Sequence, residues 1–209
     1  MKITENIELI DGTMANCYSV NLDGRRLLID TGTRGSSKKI IDYYRKNNLK
    51  PEIVLITHYH PDHVGGLKSI RDEFGTKIYA PDAEIGVISG KERMTPAKSL
   101  ASRLVSGFMK SEPVEGLSRS SELSMEGLEV VETPGHTPGS TSYFFSKDNV
   151  LFVGDAVVVS SGKLGLNKAF TLDMAKAEES RKKILEHPAQ IILSGHGEVY
   201  SKSGNETSK

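Results

Sequence analysis

The segment Thr57-His58-Tyr59-His60-Pro61-Asp62-His63 constrains this chain more than any other. It packs three imidazoles and a carboxylate directly behind the apolar run Ile53-Val54-Leu55-Ile56. A lone histidine is more often packed or capping than a ligand. Three with an aspartate among them resist that reading, because burying polar groups without partners is costly. Neutral imidazole and carboxylate together suit a borderline cation such as zinc, iron or manganese.

The rest of the composition narrows the function class. The 209 residues predict one domain over 1–200 and a flexible tail over 201–209. Lys plus Arg and Asp plus Glu both number 27, so no net charge draws the chain to nucleic acid or anionic membrane. Cys17 is the one cysteine; it has no disulfide partner and sits in an apolar stretch, as a packed side chain would. Met1-Lys2-Ile3-Thr4-Glu5 has no apolar leader character, and no apolar run nears the ~20 residues of a membrane span. The expectation is a soluble cytoplasmic protein acting on a small molecule, with neither nucleic-acid nor membrane partner. Oligomeric state is left open.

Local patterning supplies the elements. Residues 2–10 alternate loosely, as an edge strand does. Met14–Leu22 and Arg25–Ile29 flank the turn Asp23-Gly24 and predict a hairpin. Ser36 is placed to cap a helix running to about Asn48. The unbroken apolar run 53–56 predicts a strand buried on both faces. Val64, Leu67, Ile70 and Phe74 fall at helical spacing, with Gly75 as a stop. Lys77–Ala80, Leu128–Glu132, Thr141–Phe145, Val150–Val153 and Gln190–Leu193 read as further strands. Residues 90–120 are rich in Ser, Lys, Met and Gly, with a helical stretch near 97–109; a lid and a plain surface helix fit them equally. A helix over Asp173–Glu186 carries Glu178–Lys182 and Glu179–Lys183 pairs, one turn apart.

Apolar strands ending near Ile56, Val131, Val153 and Leu193 each feed a turn that holds His or Asp. Ligands gather beyond the carboxyl ends of strands, where the backbone is fixed and side chains reach open space. His58, His60, Asp62, His63, His136, Asp155 and His196 are therefore expected to converge. The sixth histidine, His187, precedes Pro188 at a helix end and reads as a surface residue or cap. His58, His60 and His136 make a neutral site, and Asp62, His63 and His196 a singly negative one. Asp155, with two oxygens, can bridge them. Gly135, Gly139, Gly154, Gly195 and Gly197 allow tight turns around them.

The order Asp30, then His58-x-His60-x-Asp62-His63, then His136, Asp155 and His196 resembles the metallo-β-lactamase superfamily, over about residues 3–200. The resemblance implies an α/β fold: a four-layer αβ/βα sandwich of two mixed sheets with helices outside. It implies the two ligand sets above, two divalent cations with zinc the first expectation and iron or manganese compatible, and a site at one sandwich edge. Asp30 would be no ligand but would hold the histidine loop by hydrogen bonds, with Thr57 and Thr137 in similar roles. Asp62 would be the catalytic carboxylate, orienting hydroxide and shuttling a proton.

Thr57-His58, Gly135-His136-Thr137-Pro138-Gly139-Ser140 and Gly154-Asp155 are most similar to the glyoxalase II-like small hydrolases. Hydrolysis of a small thioester, lactone or ester is the activity implied. Glyoxalase II enzymes carry a long, basic C-terminal extension for glutathione; about a dozen residues follow His196 here, which argues against glutathione specificity. A cysteine ligand, usual in the commonest β-lactamases, is lacking near the motifs. The alternative is oxidation of persulfides by dioxygen at a single iron, as in one subgroup. Nuclease chemistry and a non-catalytic metal sensor are weaker readings. Selectivity is expected from the 90–120 segment, from Tyr59 and from Lys163–Phe170.

Overall fold

The computed structural model describes residues 1–96 and 111–205. Its first sheet has six strands: β1 (Ile7–Ile10), β2 (Cys17–Leu22), β3 (Arg25–Ile29), β4 (Ile53–Leu55), β5 (Lys77–Ala80) and β6 (Ser118–Arg119), paired in that order. The first three are antiparallel; β3 through β6 run parallel. Asp23 and Gly24, both at positive φ, close the β2–β3 hairpin as a twist-matched two-residue turn requires. The second sheet contains β7 (Leu128–Glu132), β8 (Thr141–Phe145), β9 (Val150–Gly154), β12 (Ile191–Ser194) and β13 (Val199–Ser201), ordered β13-β12-β9-β8-β7. Only its β12–β9 pair is parallel. A small hairpin, β10 (Val158–Ser160) with β11 (Lys163–Gly165), stands beside it.

Side-chain alternation builds four layers. Leu27, Ile29 and Leu55 point inward to meet Tyr143, Phe145, Phe152 and Leu193 of the second sheet. Their neighbours Leu28, Val54 and Ile56 point outward onto α1 (Ser37–Lys46) and α3 (Leu67–Phe74), through Ile40, Tyr44, Leu67 and Ile70. On the far side Leu151, Val153 and Ile192 cover Ile184 of α5 (Met174–Glu186). The run 53–56 is thus buried on both faces, as its composition requires.

Several local expectations change. Ser36 occupies the cap position of α1 but makes no capping bond; its hydroxyl pairs with Thr33, which caps the preceding turn. The helix after the histidine cluster is split into α2 (Pro61–Val64) and α3. The break falls at Gly65-Gly66, where the turn presses on the backbone of residues 31–34. A Cβ on Gly66 would lie 2.3 Å from the Thr31 carbonyl oxygen. Glu178 pairs with Arg181 rather than Lys182, and Lys183 donates to the Glu132 carbonyl at 3.0 Å rather than to Glu179. The expected tail is partly built in: Ser201 pairs with Ile191, and the Lys202 ammonium holds the Leu185 and His187 carbonyls at the end of α5.

The helical stretch expected near 97–109 lies outside the described residues. What flanks it is packed. Ile88 of α4 (Ile85–Ile88) and Val114 are buried in the first helix-facing cluster, and Arg71 donates to the Glu115 carbonyl at 2.6 Å. Among the described residues no helix is long and apolar enough to cross a membrane.

Candidate metal centre

The foundation is Asp30, at the end of β3 and almost fully buried, with φ +55°. Its Oδ1 accepts the Thr57 N–H at 2.8 Å. Its Oδ2 accepts the Thr57 hydroxyl and the His63 Nδ1–H, both at 2.7 Å. A carboxylate only accepts, so these bonds put a proton on His63 Nδ1 and turn its Nε2 toward the site. The Thr57 hydroxyl, its proton committed to Asp30, accepts from His58 Nδ1 at 3.1 Å. His58 Nε2 is thereby bare. One aspartate orients two imidazoles, as ligand-orienting carboxylates do.

The donor atoms converge. His58 Nε2 lies 3.0 Å from His60 Nδ1, which is 2.9 Å from His136 Nε2. His63 Nε2 faces Asp155 Oδ1 at 3.4 Å, and His196 Nε2 meets Asp62 Oδ2 at 3.1 Å. Asp155 Oδ2 stands 3.6 Å from both His136 Nε2 and His196 Nε2. Three overlapping groups result: His58, His60 and His136; His58, His63 and Asp155; Asp62, His63 and His196. Within each, the donor atoms lie within 4.8 Å of one another. All seven residues expected from the sequence meet, although they come from turns after β4, β7, β9 and β12.

Electrostatics divides them. Burial, reinforced by neighbouring imidazoles, holds His58 well below the usual histidine range. Burial likewise brings His60 down to about 3 and His136 to about 4. For His63 burial works against the cation, but Asp30 and Asp155 outweigh it and push the group well up. His196 is raised by its bond to Asp62, against burial. Burial would raise both carboxylates, yet His196 and His63 bring Asp62 to about 2, and His63 brings Asp155 lower still.

The residues fit a cation. His63 Nε2, Asp155 Oδ1 and His136 Nδ1 are buried without a hydrogen-bond partner among the described residues. Natural interiors rarely leave such groups unsatisfied. A cation facing His63 Nε2 and Asp155 Oδ1 would satisfy both. The His58, His60 and His136 nitrogens, neutral through burial and gathered at 2.9–3.0 Å, form a donor set suited to a cation. Gly195 lets the last turn close over the site: a Cβ there would lie 2.4 Å from Asp155 Oδ1. The open side is lined by His60, Asp62 and His196; the His196 side chain is 33% exposed.

Other expectations resolve differently. His187 takes no part; its Nδ1 accepts the Ala189 N–H and its ring packs 4.6 Å from Phe144. Tyr59, expected to shape selectivity, is 3% exposed and packs in the helix-facing core, because the extended 57–60 segment turns alternate side chains away from the site. Lys163 sits on the β10–β11 hairpin, which is joined to the His196 turn by a bridge between Val159 and Gly197. Three supports were not legible in the motifs. Tyr18 of the first sheet donates to the Ser194 carbonyl at 3.0 Å, and Tyr143 of the second to the Ile56 carbonyl at 2.7 Å. Each staples the opposite sheet where a ligand turn begins. The third is Glu84, buried under both histidine loops. Its signal was faint: one of two acids, Asp82 and Glu84, between Ala80 and the apolar Ile85-Gly86-Val87-Ile88.

Residues 10–196 match the family model of the metallo-beta-lactamase superfamily. The chain belongs to this superfamily. A probable metallo-hydrolase, YqgX of Bacillus subtilis, is 30% identical over 88% of this chain and 85% of its own length. A hydroxyacylglutathione hydrolase of a Chelativorans species is 27% identical over 75% of this chain, a match that spans 52% of that enzyme. The crystal structure of the B3 metallo-beta-lactamase BLEG-1 superposes with a TM-score of 0.75 at 28% identity, covering 97% of both chains. The four-layer sandwich is thus the metallo-beta-lactamase fold, and a hydrolase is the coarse function these relatives support. In this superfamily member the ordered motif residues meet where the turns leave the two sheets.

Proposed function

We propose that this chain is a metal-dependent hydrolase of small thioesters, lactones or esters. His58, His60 and His136 would hold one divalent cation, Asp62, His63 and His196 a second, and Asp155 would serve both. The observation that carries this reading is the position of Asp155, whose two oxygens face His63 on one side and His136 and His196 on the other. Zinc is the first expectation, and iron or manganese suits the same donors. The resemblance to a hydroxyacylglutathione hydrolase supports a thioester among the acyl substrates.

Bound cations would supply Lewis acidity toward the substrate carbonyl and lower the pKa of water from ~15.7 toward ~7. The chain's own residues do the rest. Asp30 and Thr57 hold His58 and His63 with their acceptor nitrogens forward. Burial of His58 and His136 keeps bulk water from the floor of the site. Asp62 sits at the open side, with a carboxylate held ionised down to about pH 2 by His196 and His63 against its burial. It is placed to orient the attacking water, accept its proton and pass that proton to the leaving thiolate or alkoxide.

The test is a panel of activated thioesters, lactones and phosphodiesters offered to the cation-loaded chain beside Asp62→Ala and His63→Ala. The reading expects acyl substrates to be turned over by the wild type and by neither variant. Wild-type rates in both variants, or turnover of phosphodiesters alone, would overturn it.

A further inference from the structure

Glu84 is a carboxylate with no exposed surface, yet no ion pair to it occurs among the described residues. It ends the short turn Asp82–Glu84 that follows β5, far in sequence from every ligand motif. Its two oxygens face two different loops. Oε2 accepts the backbone N–H of Tyr59, the residue between His58 and His60. Oε1 accepts the Thr137 hydroxyl, next to His136, and the Gly139 N–H at 2.9 Å. Ser140 completes the second loop: its hydroxyl lies 2.7 Å from Thr137 Oγ1 and accepts the Thr137 N–H at 3.0 Å.

An independent feature points the same way. A Cβ on Gly139 would lie 2.5 Å from Glu84 Cγ, so glycine at this position is what allows the loop to reach the carboxylate. Burying a carboxylate is expensive, and burial indeed pushes this one up to about 7 despite three hydrogen bonds. Such a cost is met where a fixed acceptor pair does something a neutral side chain cannot. All three contacts donate, two of them from backbone amides that have no other option. Glutamine could satisfy one loop only, because its amide nitrogen would then confront the donor of the other.

We propose that Glu84 is a positioning residue for the neutral three-histidine group: by tying the 57–60 loop to the 136–140 loop it sets the approach of His58 and His60 to His136. The two loops belong to different sheets, and β4 and β7 are not neighbours in either. Without the tie, the 2.9 Å approach of His60 to His136 would rest on bonds at the bases of the loops, from the Thr141 N–H to the Thr57 carbonyl at 3.0 Å and from Tyr143 to the Ile56 carbonyl at 2.7 Å, and, among the described residues, on nothing beside the ligands themselves. The proposal rests on the reading of His58, His60 and His136 as cation ligands. It concerns the loops behind them, not the ligands themselves.

The test titrates cation-free protein with Co(II) alone and follows affinity, the visible ligand-field spectrum and the melting temperature of the cation-free chain. Glu84→Gln should still fold, with a lowered melting temperature, lose about 10–100-fold in affinity for the first Co(II) and shift the spectrum, as loss of an orienting partner does. Thr137→Val keeps the carboxylate and removes one donor; it should weaken Co(II) binding in the same direction by less. Glu84→Asp, which retains an acceptor pair, should recover part of the loss. Native affinity and spectrum in Glu84→Gln would overturn the proposal. So would a Glu84→Gln chain that fails to fold, since the role would then lie in the fold. Failure of the wild type itself to bind Co(II) would instead reject the ligand assignment.

Discussion

The neutral and charged donor groups are built from the same kinds of residue and behave oppositely. His60 and His136, ringed by imidazoles and buried, are held at about 3 and about 4. His63, equally buried, is raised, because Asp30 lies 2.7 Å from one nitrogen and Asp155 3.4 Å from the other. With burial alike, the second carboxylate decides: Asp30 at 2.7 Å beside Asp155 lifts His63, whereas Asp155 at 3.6 Å does not offset the burial of His136. The neutral group needs no deprotonation to accept a cation. The charged group must give protons up first.

The largest expected effect separates the groups by chemistry. Asp62→Ala should cut turnover of an activated thioester by about 10²–10⁴-fold, the range for loss of a positioned proton carrier. Loss of less than tenfold, measured at saturating Zn(II), would remove Asp62 from the proton path. Next comes Asp30→Asn, which strikes both groups together. Its amide would face the His63 and Thr57 protons, so cation affinity should fall about 10–100-fold at both groups. Stability of the cation-free chain should drop by roughly 1–3 kcal/mol in a denaturant titration. An affinity loss confined to the charged group would show that Thr57 does not relay the effect to His58.

The contrast should also be visible in pH. Between pH 6 and 8 cation affinity of the neutral group should stay flat, since His60 and His136 are already bare well below that window. Affinity of the charged group should rise about tenfold per pH unit for each proton displaced from His63 or His196. Stability of the cation-free chain should run the other way. The folded values of His63 and His196 are raised, so their contribution is full below the unfolded value of ~6.5 and is lost as pH climbs through the folded values. Competition titrations with a chromophoric chelator at three pH values would read the slopes. Equal slopes would erase the distinction. The smallest effects belong to the staples: Tyr18→Phe and Tyr143→Phe should each cost about 1 kcal/mol by chemical denaturation.

Much of the site was legible because metal chemistry uses few residue types and strands deliver them at their ends. Histidines at alternate positions on an extended segment had to share a face, while the hold of Asp30 on the histidine loop was implied by the resemblance and is seen in its bonds to Thr57 and His63. The fold class came from the resemblance that the ordered motifs carry; the apolar run 53–56 by itself gave only a strand buried on both faces. What escaped was set by tertiary approach. Alternation that turns His58 and His60 inward also turns Tyr59 into the core, so an aromatic in the motif was misassigned to selectivity. The helix spacing from Val64 to Phe74 was real, but contact of Gly66 with the Thr31 carbonyl broke it. Arg181 won Glu178 over Lys182 through a closer fork geometry at three residues' spacing. Glu84 has no motif around it; its meaning lies in two loops that only the folded chain brings together.

The most direct measurement is the number of divalent cations bound per chain, by elemental analysis of protein loaded with Zn(II), for the wild type and Asp62→Ala. Two distinct donor groups predict two cations in the wild type and one in the variant. A wild-type chain that holds a single cation, with the same count after Asp62→Ala, would contradict the account.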